Sequence, residues 1–472
     1  MSRYVKLIWS LAMLCSVFWC RGQEGIGMAL SNYLPSHAVQ LNPALAADSK
    51  TRFDILLGGV SLYATNEHTF YDAEGPGVIP VLFGNGTNPV QDFDTHPRDG
   101  YLDMTIDGPS AFAVLGRSSV GLSTRYRAMF NGQDMPYELA QFIYHGFRHW
   151  PLYDSTLYID DMNLVGMSWG EVALTYARMI QVEEDHHLNA GVTVKRLFGQ
   201  DHVGIGVGRM QYMFDSQDLY IQDFTGSYSL GTDDIGFGNG WAMDVGMIYR
   251  KTIHGNPDYI PFSTENRCQK SQYRYQLGVS VIDIGQVNFR QNSAIVDLQD
   301  AQAFWPNYID TDVSNIDELD DFLASTFEND QNFTDRTLGT KVSLPTALNI
   351  QFDYNLDKGL FLGAVLQQPL HASELTRLRR ASIFGVIPRY ETDRMEFAVP
   401  ISTYEYERLQ VGLAFRYLGL TIGSDDLGVI LSDRDVYGAD FYAAIRIPVL
   451  YRPDCRDKQR DNRGLIAPCW GQ

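Results

Sequence analysis

The sequence predicts an all-β fold: a transmembrane antiparallel β-barrel of about 14 strands with short helices in long loops. Three observations carry this expectation. First, apolar and polar residues alternate at period two in stretch after stretch, and Tyr273-Arg-Tyr-Gln-Leu-Gly-Val-Ser-Val281 is the clearest. There Tyr273, Tyr275, Leu277, Val279 and Val281 fall on one face, while Arg274, Gln276, Gly278 and Ser280 fall on the other. Second, these stretches run roughly 10 to 14 residues, the length of a tilted strand crossing a bilayer. Third, the 27 tyrosines and 25 phenylalanines gather toward strand ends, as an aromatic girdle requires. A soluble sandwich of 472 residues would need shorter strands and turn signals every 8 to 12 residues or so.

Residues 1–22 read as a signal peptide, with Arg3 and Lys6 before the apolar run Leu7 to Trp19 and Gly22 at a plausible cleavage point. Removing Arg3, Lys6 and Arg21 and no acid takes the net charge from -20 to -23. That acidity argues against nucleic acid as a partner. No apolar run of about 18 residues follows, so a helical membrane protein is excluded while a barrel is not. Cys268, Cys455 and Cys469 remain, with no CxxC pair to suggest zinc or a redox site.

Residues 23–51 form an N-terminal segment leading into the first strand. Its Leu41-Asn42-Pro43-Ala44 reads as a turn or short helix, since Asn-Pro disfavours helix at Asn42 and the alanines after it favour one. The barrel is expected over 52–451, with long loops at 66–99, 130–162 and 291–344. In the first strand, Gly58-Gly59 shifts the apolar row into the other phase and predicts a bulge. Gly116-Arg-Ser-Ser119 and Asp357-Lys-Gly359 predict tight turns. Asp134 before Pro136, with Gly146 beyond, predicts a helix over Tyr137 to Tyr144, and Ser314 caps a second over Ile316 to Glu328. Residues 452–472 are a tail.

Several segments resemble a known family. Leu41-Asn-Pro-Ala44, Trp169-Gly-Glu-Val-Ala-Leu-Thr-Tyr-Ala-Arg178, Gly191-Val-Thr-Val-Lys195, Leu277 to Gly285, Leu344-Pro-Thr346 and Gly438-Ala-Asp-Phe-Tyr442 resemble an uncharacterised outer-membrane β-barrel family of Bacteroidota. More distantly, the Asn-Pro-Ala motif is similar to PorP/SprF-type and PorV-type barrels and to FadL-type fatty-acid channels. The resemblance implies an outer-membrane location and no established activity.

No Gly-x-Ser-x-Gly elbow or His-Glu-x-x-His helix occurs, so no enzyme is expected, and no cofactor. His186-His187 beside Glu183, Glu184 and Asp185 reads as a solvated charged turn. Asp310, Asp312 and Asp321 echo a calcium loop, but Asn315 stands where the loop needs glycine, so they are weak metal candidates. The charges on the polar strand faces are the candidate lumen lining: Arg125, Arg127, Lys195, Arg274, Asp353, Arg408, Arg416 and Arg446. A salt-bridged filling is the first expectation for them, since buried charges persist mainly when paired, and a conduction path the second. The leading functional expectation is an interaction scaffold or secretion accessory, with outer-membrane lipid and other envelope proteins as partners. The alternative is a FadL-like or porin-like channel for a hydrophobic or small polar solute, the helix Tyr137 to Tyr144 forming a lid over a hydrophobic route.

Overall fold

The computed structural model describes residues 25–70, 90–145, 152–183, 185–215, 217–232, 238–253, 256–263, 272–307, 333–426 and 437–450. Nineteen hydrogen-bonded segments form one antiparallel sheet. Five strands are each built of two successive segments that continue in one direction along the same neighbours, which leaves fourteen strands. They are β1 (Phe53–Asn66), β2 (Arg98–Asp107 and Ser110–Leu115), β3 (Ser118–Met135), β4 (Thr156–Glu183), β5 (His186–Phe214), β6 (Leu219–Thr232 and Gly238–Thr252) and β7 (Tyr273–Trp305). The ring continues with β8 (Phe333–Ser343 and Ala347–Asn355), β9 (Leu360–Pro369), β10 (Ile383–Glu391), β11 (Met395–Ala398 and Ile401–Tyr404), β12 (Arg408–Val411 and Leu413–Tyr417), β13 (Leu420–Ser424) and β14 (Gly438–Val449). β14 pairs with β1 from Phe53↔Val449 to Thr65↔Gly438, so the sheet closes and leaves no seam. The register slips between Leu56 and Gly58, the bulge that the paired glycines predict.

One end of the barrel has tight turns, except between β6 and β7, where the chain runs from Thr252 to Tyr273. Gly116 (φ 66) and the run Asp357 (φ 69), Lys358 (φ 54), Gly359 (φ 85) make left-handed corners there, as their residue types foretell. The other end carries the long connections and the helix α3 (Tyr137–Tyr144). The strand ladder reaches further into the expected loops than alternation suggests. β3 runs to Met135 and β4 begins at Thr156, inside the 130–162 loop, while β7 runs to Trp305 and β8 starts at Phe333, inside 291–344. The signal peptide, the tail, the three later cysteines, the Ile316 to Glu328 helix and the acids Asp310, Asp312 and Asp321 lie outside the described residues.

Strand length divides the wall. β4, β5 and β7 have 28, 29 and 33 residues, against 10 and 9 for β9 and β10. About 9 to 11 residues cross a bilayer, so the long strands stand far out of it. Their outward residues mark the boundary. In the lower part of β4 and β7 they are apolar (Val172, Leu174, Ile180, Leu277, Val279, Ile284), and the belt continues round the ring through Ile350, Leu362, Phe397, Phe415, Ile422 and Ile447. Above it, β4 and β7 expose Asp160, Asp161, Asp297 and Asp300. A lipid-facing belt that stops within single strands fits a hydrocarbon layer of fixed thickness.

The lower barrel is filled by the N-terminal segment, and the upper extension has its own core. There Phe142 of α3 is fully buried against Ile159, Tyr212, Phe214, Tyr228, Val296 and Leu298 from the inward faces of β4 to β7.

Candidate functional site

Residues 25–49 are buried except for His37 and Gln40, which are half-buried. They form two short helices, α1 (Ile26–Ala29) and α2 (Pro35–Leu41), and a 3-10 turn over Pro43–Asp48, and together they plug the lumen. Asn42 organises the turn. Its Oδ1 accepts from the Ala44 amide at 2.9 Å, while its Nδ2 donates to the carbonyls of Met247 and Val279 at 3.2 Å each. Ser280 Oγ and Asn349 Nδ2 both donate to the Leu41 carbonyl, at 2.6 and 3.1 Å. At two points where the plug presses, the wall has a glycine in place of a side chain. A Cβ on Gly191 would lie 2.5 Å from Ala44 N, and one on Gly246 2.1 Å from Asn42 Oδ1. Leu41-Asn-Pro-Ala44 is thus the seat of the plug as well as a local turn.

Ion pairs tie plug to wall and wall to itself. Arg250 holds Asp48 (2.8 Å), which also accepts from the Tyr259 hydroxyl (3.0 Å). Lys50 holds Glu391 (3.1 Å), and Ser31 Oγ donates to Glu396 (2.5 Å), which also pairs with Arg416 (3.0 Å). Arg446 bridges Asp54 (2.8 Å) and the Tyr33 carbonyl (2.6 Å). Arg389 grips Asp353 through both nitrogens at 2.7 and 2.6 Å, and Asp353 also accepts from the Tyr273 hydroxyl. The central knot is Asp283, which takes Arg127 (2.9 Å), Lys195 (2.6 Å) and Arg380 (2.7 Å). Lys195 also meets Asp244 (2.8 Å), and Arg125 bridges Asp107 and Glu171 at 3.1 Å each.

Arg380 reaches that knot because residues 370–382, between β9 and β10, fold inward. Ser343 N donates to the Thr376 carbonyl (2.9 Å) on one side of the lumen. Across it, Asn131 exchanges two bonds of 2.9 Å with the Arg379 backbone, and Asn163 donates to Ser373 (2.8 Å). This strap lies above the plug. A cavity of about 40 Å³ remains between them, lined by His37, Gln40, Arg125, Arg127, Gln367 and Arg380. Above the strap a vestibule of about 300 Å³ opens at the long-connection end, lined among others by Glu67, Asp99, Tyr101, Arg379, Glu405 and Arg408.

Six of the eight sequence-predicted lining residues sit in the lumen with an acid or cation partner: Arg125, Arg127, Lys195, Asp353, Arg416 and Arg446. Arg408 lines the vestibule, 3.2 Å from Glu67. Arg274 is a correction. The register slips between Lys251 and Thr252, which turns Tyr273 inward and leaves Arg274 partly exposed at the tight-turn rim, paired with Asp357 (2.9 Å). A second slip, between Met243 and Val245, turns Asp283 inward with φ 58. Simple alternation from Val281 puts Asp283 outside, so sequence reasoning missed the knot's centre. Asp244, flanked by outward Met243 and Val245, was legible by the same alternation. At the charged turn, His186 meets Asp185 (3.0 Å) and Tyr249 (2.5 Å).

The model of a family of unknown function (DUF5723) matches residues 43–425, and the chain belongs to that family. No curated protein matches it by sequence. Among solved structures, the Ralstonia pickettii toluene transporter TbuX is similar at 10% identity, covering 92% of this chain and 100% of that one, with a TM-score of 0.44. The Pseudomonas putida toluene transporter TodX gives 10%, 92% and 100%, and 0.43. A Pseudomonas aeruginosa FadL homologue gives 12%, 90% and 98%, and 0.43. At scores below 0.5, the barrel fold rests on the closed strand ring and its apolar belt.

Proposed function

We propose that this DUF5723 chain is a non-enzymatic outer-membrane channel for a small polar solute, its belt in lipid and its lumen blocked to ions at rest by its own N-terminal segment. The observation that carries the reading is how the plug is held. Asn42, Ser31, Asp48 and Lys50 meet the wall through hydrogen bonds and ion pairs, contacts that water and solute can replace at small net cost. A barrel serving only as a scaffold for envelope partners has no need of a stopper seated in its lumen beneath two cavities. The vestibule, lined by Glu67, Asp99, Glu405, Arg379 and Arg408, supports a polar solute over a hydrophobic one. The apolar surface beneath α3 is occupied by Phe142 and its neighbours, so it supports the hydrophobic route less well. Swelling of liposomes that contain the purified full chain tests the reading. Entry of small uncharged sugars above that of protein-free liposomes is expected, and a rate equal to the blank would remove the channel reading.

A further inference from the structure

The outward residues of β5 to β8 change character in step where the lipid belt ends. Paired directly across the strands, Val194, Met243 and Ile284 form its last apolar row, all three exposed. The next row is Arg196, Trp241 and Gln286, and above it come Phe198, Asn239, Asn288 and Lys341. Arg290 follows Asn288 on the same face, and the exposed acids Asp297 and Asp300 lie higher still. Arg290 and Lys341 are exposed diagonal neighbours on adjacent strands, about 7–8 Å apart. Arg196 lies two strands from Arg290, roughly 10 Å away. Its Nη1 donates to the Gly240 carbonyl (3.1 Å), and its guanidinium stands over the Trp241 and Phe198 rings at 5.2 and 5.5 Å. Among the described residues none of these three cations makes an ion pair. The other described cations at this end of the barrel each meet an acid: Arg98 with Asp92, Arg209 with Asp223, Arg377 with Glu374, Arg379 with Glu405 and Arg408 with Glu67. Cations without an acid recur only at the tight-turn end, as Arg52, Arg117, Arg178, Lys358 and Arg394. Unanswered cations therefore mark the two edges of the lipid belt, and at the long-connection edge all of them stand on β5, β7 and β8.

We propose that Arg290 and Lys341, with Arg196 and Trp241 beside them, bind the phosphate of a membrane lipid whose acyl chains lie on Val194, Met243 and Ile284. Like charges on adjacent strands repel, and a phosphate at the edge of the hydrocarbon layer is the anion placed to answer them. Its oxygens accept from the lysine ammonium and from the arginine fork. Trp241, 62% exposed, sets the height, since an indole ring settles at the level of the head groups. The apolar row beneath suits any acyl chain, so the cations are what select the phosphate. The inference rests on the belt lying in a bilayer, as the proposed function has it, and not on the passage of a solute.

Native mass spectrometry of the detergent-purified full chain, titrated with dioleoyl phosphatidic acid and with dioleoylglycerol, tests it, because these lipids differ by the phosphate alone. The parent is expected to prefer phosphatidic acid on the order of a hundredfold, Arg196→Ala, Arg290→Ala and Lys341→Ala each to cut that preference about fivefold, and the triple variant to lose it. Arg209→Ala, which removes a cation already paired with Asp223, is expected to bind as the parent does. Millimolar inorganic phosphate, the free form of the same group, should leave the lipid in place, and displacement by it overturns the lipid as occupant. Heat-dependent gel mobility reports whether each barrel is folded. If the triple variant does not fold, Lys341→Gln, a change to one exposed side chain, carries the test. Equal binding of the two lipids by the parent, or an unchanged preference in the folded variants, overturns the site and leaves the barrel in its membrane. Failure of the parent to enter phosphatidylcholine liposomes overturns both.

Discussion

The two halves of the long strands solve the same problem in opposite ways. Inside the lipid belt, the inward faces of β3 to β8 carry Arg127, Lys195, Asp244, Asp283, Arg250 and Asp353, each answered by a partner. Beyond the belt, the same strands turn Ile159, Tyr212, Tyr228, Val296 and Leu298 inward and acids outward. The polarity inverts because the solvent does. Where lipid lies outside, the interior must hold the polar groups, and where water lies outside, an ordinary apolar core forms under α3. The lower half is therefore held by specific pairing around a plug and the upper half by area burial. The lesson is that a single strand here belongs to a lipid-facing barrel wall at one end and to a small soluble-type core at the other.

Breaking the knot should have the largest effect. Asp283→Ala leaves three buried cations facing one another, and a loss of about 3–5 kcal/mol is expected in urea unfolding of the folded barrel, as for other buried pairs cut on one side. Next comes the upper core. Phe142→Ala should cost about 3 kcal/mol, expressed locally, so that limited proteolysis cuts near α3 while heat-dependent mobility of the barrel stays as it was. A smaller loss of about 1–2 kcal/mol is expected for Asn42→Ala, which removes the cap of the plug's 3-10 turn and its bonds to two wall carbonyls. Exchange of the plug's amide hydrogens should rise with it and exchange in the wall should not. If Phe142→Ala lowers barrel stability as much as Asp283→Ala does, the two halves are not separable.

The smallest effect concerns pH and the upper half alone. His68, outside the strands, stacks edge-on against Tyr137 and Tyr144 of α3 at 6.0 and 5.9 Å. Burial, helped by Arg98, lowers its pKa to about 4. A base whose pKa is lower folded than unfolded is neutral in both states above about 6.5, where its contribution is fully present. That contribution is lost as the pH falls from about 6.5 toward 4. Proteolysis near α3 should therefore quicken over that window, and His68→Phe should flatten the dependence.

The fourteen-strand ring was largely legible, because alternation such as Leu348, Ile350, Phe352, Tyr354 against Asn349, Gln351, Asp353 survives wherever the register is regular. It misled where a bulge resets the phase, and those are the places that matter. One extra residue at each of two slips turns Asp283 and Tyr273 into the lumen, and the second puts Arg274 on the rim. The plug was not legible as a plug. Residues 25–49 are small and apolar in a way that suits any buried turn, and their burial comes from wall residues hundreds of positions away, such as Asp425 on the Ile26 amide (2.6 Å). The strap escaped notice for the same reason, since nothing local in residues 370–382 points Arg380 toward Asp283. The upper parts of β3, β4, β7 and β8 fall in the expected loops because their outward residues lack the apolar row by which a lipid-facing strand is recognised.

Planar-bilayer conductance of the full chain against a chain lacking residues 25–48 tests the central claim most directly. A steady ion conductance in the shortened barrel, with little or none in the full chain, is the expected result. Equal conductance in the two, with both barrels folded by their heat-dependent mobility, would contradict the claim that this segment closes the lumen.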